Sequence, residues 1–478
     1  MIRLFITTLV VVLTSMSVFA GSYKMANIVC FVKFADEADK AWEHDFDYYD
    51  NMFNSTEEGA NSVRNFFSDM SYGSMDWEST ILPFEYVDSH PVGYFLPKGN
   101  SNPDGYTDLD LMLDTRIKTL VKDMCLFLDE KLASYDFNGD GFIDENDKIV
   151  VDANGDGEVD NIVMIICGDS DKSASRMLWP SNNRGATAYL GGVKVGNYLK
   201  VFDGANGYKS MVPQKINTGV LCHEMTHTLG AYDLYTTKGN ANSTLEPVNV
   251  WDLMSDNQTV PQGLTAYMRM QYGSPFGGWL PRTDIKQISQ NGRYTLRPLS
   301  SETPDDVAFI IRPDRTRAEY FMVEYRDRND MWDSSLPAGG MLVYRVNPLV
   351  TQTGNLGKDF ELYVFRPNSN AGTSAGLIKR ATLGTDTRRT SFGHIDDNDY
   401  PFYSDGTRAY FCITDVKETA EGISFSFSTD ITGSSAVTEI DADLIPDGKI
   451  YTLQGIRINR ITSTGIYIID GKKVFVRK

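Results

Sequence analysis

His223, Glu224 and His227 form an H-E-x-x-H pattern inside Thr218–Tyr235, which reads TGVLCHEMTHTLGAYDLY. Residues four apart on a helix share a face, so the two imidazoles can present nitrogens to one ion. Two neutral imidazoles suit Zn²⁺, and Glu224 can reach a water on that metal. Zinc lowers the pKa of such a water from about 15.7 to about 7, which makes hydroxide available at neutral pH. Glu224 then acts first as general base and later as general acid toward the leaving amine. Gly230 can take the left-handed conformation that ends a helix, turning the chain so that Asp233 brings a carboxylate to the open side of the metal. The related H-E-x-x-H-x-x-G-x-x-H signature has His where this chain has Asp233, a hard oxygen donor that zinc also accepts. The expected zinc ligands are therefore His223, His227 and Asp233, with one position open to water and substrate.

Two acidic loops offer a different chemistry. Asp136, Asn138, Asp140, Gly141, Asp144 and Asp147 occupy positions 1, 3, 5, 6, 9 and 12 of an EF-hand-type calcium loop, with the last position Asp in place of Glu. Asp152, Asn154, Asp156, Gly157 and Asp160 repeat the first five of these, but Val163 stands at position 12. Structural Ca²⁺ fits both loops better than a sensor role, because the second runs directly into the apolar strand Asn161–Cys167. Met254 lies in VWDLMS, 27 residues after His227, where a tight turn can form a hydrophobic floor under the metal.

These residues need a scaffold, and the surrounding sequence supplies one. Met25–Phe34 reads as a central strand, Ser62–Met75 as a helix ending near Gly73, and Met75–Val87 as a strand. Leu109, Met112, Leu113, Ile117, Leu120, Val121 and Met124 recur at helical spacing, which predicts one long amphipathic helix over Tyr106–Leu132. Asn217 or Thr218 caps the helix that carries the histidines, and Gly263–Tyr272 forms a helix backing the site. From about Ile285 the texture becomes short strands between Gly, Pro, Asn and Asp, a β-rich module. The polar break 428–435 precedes a glycine-punctuated tail, Ile450–Lys478, with a hairpin pattern.

At 478 residues, two or three domains are expected. Hydrophobic content of 41% with 12% aromatics excludes global disorder. A net charge of −19 argues against nucleic acid or an anionic membrane as partner. Arg3, the apolar run Leu4–Val18 and Val18-Phe19-Ala20 form a secretory leader over residues 1–20. No later stretch has transmembrane length, so the mature chain has no membrane span. The odd set Cys30, Cys125, Cys167, Cys222 and Cys412 reads as buried small hydrophobes. His44, His90 and His394 read as surface residues.

HEMTHTLGAYDLY, the WDLMS turn at Trp251–Ser255, SYGSM at Ser71–Met75, DANGDGEVDNIVMI, LWP at Leu178–Pro180, EYFMVEYR and GGMLVYRVN together resemble the immune inhibitor A family of secreted bacterial zinc metalloproteases. The resemblance spans residues 25–430. It implies a metzincin-like catalytic domain with His223, His227 and Asp233 on zinc, Glu224 as base and Met254 in the Met-turn, together with structural calcium and a β-rich C-terminal region. The chain departs from the pattern by lacking the long pro-segment of many members. It also has Asp256 where metzincins often place a Tyr beside the oxyanion, which leaves Tyr267 or Tyr272 as substitutes. The tail, IYTLQGIRI to GIYIIDGKKVFVRK, is similar to sorting domains used for export by the type IX system, which implies outer-membrane secretion machinery as a partner.

The expected fold class is α+β, with a metzincin-like catalytic domain of twisted sheet plus active-site helices over 21–285. An all-β sandwich-like module over 286–430 and a linker with a small β-hairpin unit over 431–478 follow. The expected function is a secreted or cell-surface zinc-dependent endopeptidase that hydrolyses protein or peptide substrates through a zinc-bound water and the Glu224 base. The alternative is a catalytically inactive surface or secreted protein of the same fold that binds protein or glycan.

Overall fold

The computed structural model describes residues 22–170, 175–206, 214–236, 246–369, 376–395, 397, 399–432, 438–441, 449–469 and 472–477. The leader 1–20 and most of the loop 236–249 lie outside them. The architecture is mixed α+β, with several sheets and few helices.

The first sheet carries the histidine helix on one face. Its strands are β1 (Tyr23–Phe34), β2 (Met75–Asp88), β3 (Ile162–Ile166), β4 (Ser181–Arg184) and β5 (Asn197–Phe202). They lie in the order β2-β1-β3-β5-β4, parallel throughout except at the antiparallel edge strand β4. β1 and β3 are near-continuous apolar runs because both faces are covered. Helices α1 (Phe46–Asn54), α2 (Val63–Met70) and α5 (Thr218–Thr228) share one core with one face of the sheet. α2 shows the local logic. Val63, Phe66, Phe67 and Met70 make its buried stripe, and the Ser62 side chain accepts a hydrogen bond from the Asn65 N–H at 3.1 Å to cap it.

The opposite face packs on α4 (Thr115–Leu132). Here the expectation of one long helix over Tyr106–Leu132 fails. A short helix, α3 (Asp108–Leu113), with a Thr107–Asp110 capping box, is separated from α4 by Asp114 in the left-handed region at φ 53°. That single residue breaks the helical phase. Ile117, Leu120, Val121 and Met124 are buried, whereas Leu109, Met112 and Leu113 face solvent.

The second half is β-rich. A five-stranded sheet runs Lys286–Ile288, Ala308–Ile311, Tyr320–Arg326, Gly340–Val346, Leu362–Val364, and a three-stranded sheet runs Gly292–Leu296, Gly422–Ser428, Cys412–Thr419. Phe309, Phe321 and Val343 of the first share a core with Leu296, Ile413 and Phe425 of the second. The other face of the five-stranded sheet contributes Ile310, Met322, Tyr344 and Leu362 to the same cluster that holds Leu221, Met225 and Met254. The core therefore runs continuously across the 285/286 position read from the sequence. The tail residues form a separate five-stranded sheet with its own small core around Ile461, Tyr467 and Val476.

The Gly263–Tyr272 segment begins later than the sequence suggests. An α-turn spans Ala266–Met268, where the extended Thr265 caps it by accepting the Met268 N–H at 3.4 Å, and it continues as a π-helix, Arg269–Gly273. All five cysteines are buried, unpaired thiols. Among the described residues no helix is long and apolar enough to cross a membrane.

Candidate active site

α5 is buried on nearly every side, polar residues included, with His227 alone of its residues left partly exposed. The Asn217 side chain caps it by accepting the Val220 N–H at 3.1 Å. It ends where the Gly230 N–H donates to the His227 carbonyl at 2.9 Å, with Gly230 at φ +93°. The chain then reverses and carries Asp233 back over the helix. Asp233 Oδ1 lies 3.2 Å from His223 Nε2 and 3.4 Å from His227 Nε2. The two rings are 5.0 Å apart and nearly perpendicular.

The far nitrogens explain that geometry. His223 Nδ1 donates to the Leu253 carbonyl at 3.0 Å, and His227 Nδ1 to the Ala231 carbonyl at 2.8 Å. Each bond fixes the tautomer that leaves Nε2 as a lone-pair donor. Asp233 Oδ1 is buried without a hydrogen-bond partner. Two imidazole nitrogens and one carboxylate oxygen, all within 4.8 Å of one another, are a donor set that zinc accepts. The residues fit the ion.

Electrostatics agree with the geometry. Burial pushes the His223 imidazole down, but the Asp233 carboxylate and the nearby Glu224 carry it up to about 9. Burial likewise opposes a charge on His227, and Asp233 again raises it. Burial would raise Asp233, yet the two imidazoles hold its carboxyl well below the usual range. A positive charge is favoured at the meeting point of these three side chains. Beneath the sheet, burial lowers the Lys200 ammonium to about 8 despite Asp114 and Glu224, and its Nζ donates to Ser181 Oγ at 2.6 Å.

Glu224, His223, His227 and Asp233 line one cleft of 740 Å³, which Trp179, Asn182, Arg184, Tyr232 and Asp256 also border. The edge strand β4 is fastened to the helix. Asn182 Nδ2 donates to the Glu224 carbonyl at 2.9 Å and to Thr228 Oγ1 at 2.8 Å, while Arg184 Nη2 donates to the Thr228 carbonyl at 3.2 Å. Sequence reasoning missed Asn182 and Arg184. Its one available signal was the LWP just before them, which places Trp179 and Pro180 on the cleft wall. Tyr267 and Tyr272 do not reach the site. Both hydroxyls donate to Glu361 Oε1 at 2.6 Å inside the core.

Met254 is fully buried in a turn joined to the ligand segment, since the Leu234 N–H donates to the Met254 carbonyl at 2.8 Å. The Asp252 side chain accepts the Met254 N–H at 2.9 Å and the Thr265 N–H at 2.7 Å, holding the turn closed.

The two acidic loops share an internal hydrogen-bond pattern but differ as ion sites. In the second, Asp152, Asp156 and Asp160 bring carboxylate oxygens within 4.8 Å of one another. Asp160 Oδ2 accepts the Ala26 and Ala153 N–H groups, and its Oδ1 is buried without a partner. The Asn154 side chain accepts the Asp156 N–H at 2.8 Å. In the first, Asp136, Asp140, Asp144 and Asp147 do not converge in this way. Asp136 accepts the Gly139 and Gly141 N–H groups, Asn138 accepts that of Asp140, and Asp140 that of Phe142. Asp147 turns inward to the Phe137, Asn138 and Asp144 N–H groups, and Asp144 caps the short turn after it. His44 stacks on Tyr48 at 3.8 Å, and His90 stacks on Tyr94 beside Asp88.

Residues 26–266, just over half the chain, match the family model described as the immune inhibitor A peptidase M6 catalytic domain. No curated protein matches the chain. Among solved structures, wild-type OgpA from Akkermansia muciniphila aligns in one crystal form at 14% identity over 64% of this chain and 72% of OgpA, with a TM-score of 0.23. A second crystal form aligns at 12% identity over 69% and 73%, with a TM-score of 0.25. Catalytically inactive OgpA bound to an O-glycopeptide substrate, glycodrosocin, aligns at 11% identity over 69% and 72%, with a TM-score of 0.21.

Proposed function

The chain belongs to the immune inhibitor A peptidase M6 family, and from that premise we propose that it is a secreted zinc endopeptidase with a metzincin-like site. Members are metallopeptidases, so the substrates are peptides or proteins. The observation that carries the zinc assignment is the buried, partnerless Asp233 Oδ1 facing both His223 and His227 Nε2 atoms. Zinc held there supplies a Lewis acid, which activates water and polarises a carbonyl.

This chain's own residues do the rest. Glu224, on the cleft wall next to His223 in sequence, takes the proton from the attacking water and returns it to the leaving amine. Asn182 and Arg184 hold that stretch of helix against β4, so the carboxylate keeps its place. Met254 fills the floor of the site from its turn. The second acidic loop holds a structural Ca²⁺ through Asp152, Asp156 and Asp160, with Asn154 shaping the turn, and this reading rests on the unpartnered Asp160 Oδ1. The leader and tail belong to an export route that ends outside the cell.

Denatured casein is the first substrate to try, with the chain from Gly21 onward run beside Glu224→Ala and zinc content measured on both. The expected result is one zinc in each protein and cleavage by wild type alone, with the variant slower by at least about 10²-fold. Two zinc-loaded proteins that both leave casein and other unfolded proteins intact, with calcium present and the tail trimmed, would mean a binding protein on a peptidase scaffold.

A further inference from the structure

We propose that Gly354 and Asn355, which lie in the β-rich half outside the stretch matched by the family, are positioning residues for the third metal ligand. This rests on the reading of His223, His227 and Asp233 as ligands. The two histidines are held in place by α5 and its Asn217 cap. Asp233 has no such support, because Ala231–Thr236 has no regular secondary structure of its own. Its backbone groups must find partners elsewhere.

Asn355 supplies them. Its N–H donates to the Asp233 carbonyl at 2.8 Å, and its Nδ2 donates to the Leu234 carbonyl at 2.8 Å. The same side chain is anchored at its other end. Nδ2 also donates to the Leu362 carbonyl at 2.9 Å, and Oδ1 accepts the Leu362 N–H at 3.2 Å. Asn355 is fully buried, so water cannot substitute for these bonds. One amide thus ties the ligand segment to the strand Leu362–Val364, which belongs to the five-stranded sheet.

Gly354 allows the approach. It sits at φ +54°, and a Cβ built on it would lie 2.3 Å from the Asp233 carbonyl oxygen and 2.8 Å from Tyr232 Cβ. Any side chain there would push the ligand segment off the metal position. Its own carbonyl accepts the Glu361 N–H at 3.3 Å, which fixes the loop that carries both residues. The active centre is therefore completed by residues more than a hundred positions beyond the H-E-x-x-H helix, and the β-rich half acts as the clamp on the third ligand.

Zinc affinity, read by competition with a metal-binding dye, tests this together with the melting temperature of the metal-free protein. The variants are Asn355→Ala, His227→Ala and Phe425→Leu. The last loosens the β-rich half in a core that Asn355 does not join. Asn355→Ala is expected to weaken zinc binding about 10- to 100-fold, the usual effect of losing a partner behind a ligand. Phe425→Leu should leave affinity within about 2-fold of wild type even where it lowers the melting temperature as much. If Asn355→Ala binds zinc as wild type does while His227→Ala does not, Asn355 is merely structural and the proposal is wrong. If His227→Ala binds zinc as tightly as wild type, the ligand assignment itself fails. Should Asn355→Ala not fold, Asn355→Asp keeps the size and the acceptor for the Leu362 N–H but turns the donor facing the Leu234 and Leu362 carbonyls into an acceptor. It is expected to show the same loss, and unchanged affinity would overturn the clamp equally.

Discussion

Asp233 Oδ1 and Asp160 Oδ1 are buried carboxylate oxygens without partners, and each lies in one of the clusters of candidate metal ligands found among the described residues. Burying an acceptor without a partner costs roughly 1–3 kcal/mol, and more for a charged one, so both positions gain from an ion. At Asp160, burial and the neighbouring Asp152 and Asp156 raise the carboxyl to about 6, the opposite of what a carboxylate with a counter-charge shows. Adding Ca²⁺ to metal-stripped protein should raise its thermal midpoint. At a concentration 100 times the dissociation constant the gain is about 2.7 kcal/mol. Asp160→Asn should lose most of that response, and scanning calorimetry with and without chelator reads it. A gain of equal size in the variant would remove Asp160 from the ion's ligands. The sequence named all four residues of this loop, yet it ranked the first loop as the fuller calcium pattern. Spacing alone does not show that Asp147 spends its oxygens on three backbone N–H groups.

At the scale of elements, the packing of the π-helical segment on the five-stranded sheet leaves a titratable group in the core. Glu361 is fully buried, with Oε1 accepting both Tyr267 and Tyr272 hydroxyls and Oε2 without a partner. Burial raises its carboxyl to about 7, and the two hydroxyls oppose that only in part. The folded form therefore keeps a proton that the unfolded chain releases near its ordinary value of about 4.3. Its contribution is greatest below that value and is lost as pH rises toward about 7, a change on the order of 3 kcal/mol. Glu361→Gln, which cannot ionise, should flatten the fall in denaturant-measured stability between pH 5 and about 8. An unchanged slope would place the titration elsewhere. None of this was legible in the sequence, where Tyr267 and Tyr272 read as candidates for the oxyanion. Helical spacing located the tyrosines, but the strand that brings Glu361 to them lies some ninety residues on. The break at Asp114 was invisible for a related reason. A left-handed residue in a helical pattern leaves the apolar period intact on both sides, so the pattern alone reads as one helix.

At the scale of the whole molecule, the two halves share charges as well as apolar surface. Arg326, on the strand Tyr320–Arg326, is fully buried between Glu324 and Asp333, and its guanidinium donates to the Trp251 and Gly263 carbonyls at 2.7 and 2.9 Å. The turn that holds Met254 thus hangs from the β-rich half at one end, and the Asp233 segment at the other. Truncation after residue 285 should remove one wall of the main core and strand both segments. The expected product is an aggregating or molten chain that binds a hydrophobic dye and holds no zinc. A folded, zinc-binding fragment from size-exclusion chromatography would show that the shared core is dispensable. The sequence by itself determined which side chains gather at the candidate metal site, because an i, i+4 histidine pair, the helix-ending glycine and the returning aspartate are local. Their geometry follows from a single helix and a single turn. It also determined the positions of β1, β2, α2 and α5 and the β-rich texture of the second half, where periodicity and caps agree with burial. Only the tertiary structure decided what holds the returning aspartate, which acidic loop gathers its carboxylates, and where Tyr267 and Tyr272 point. Each of those depends on contacts between residues far apart in the chain, and no local spacing encodes which distant backbone will arrive beside them.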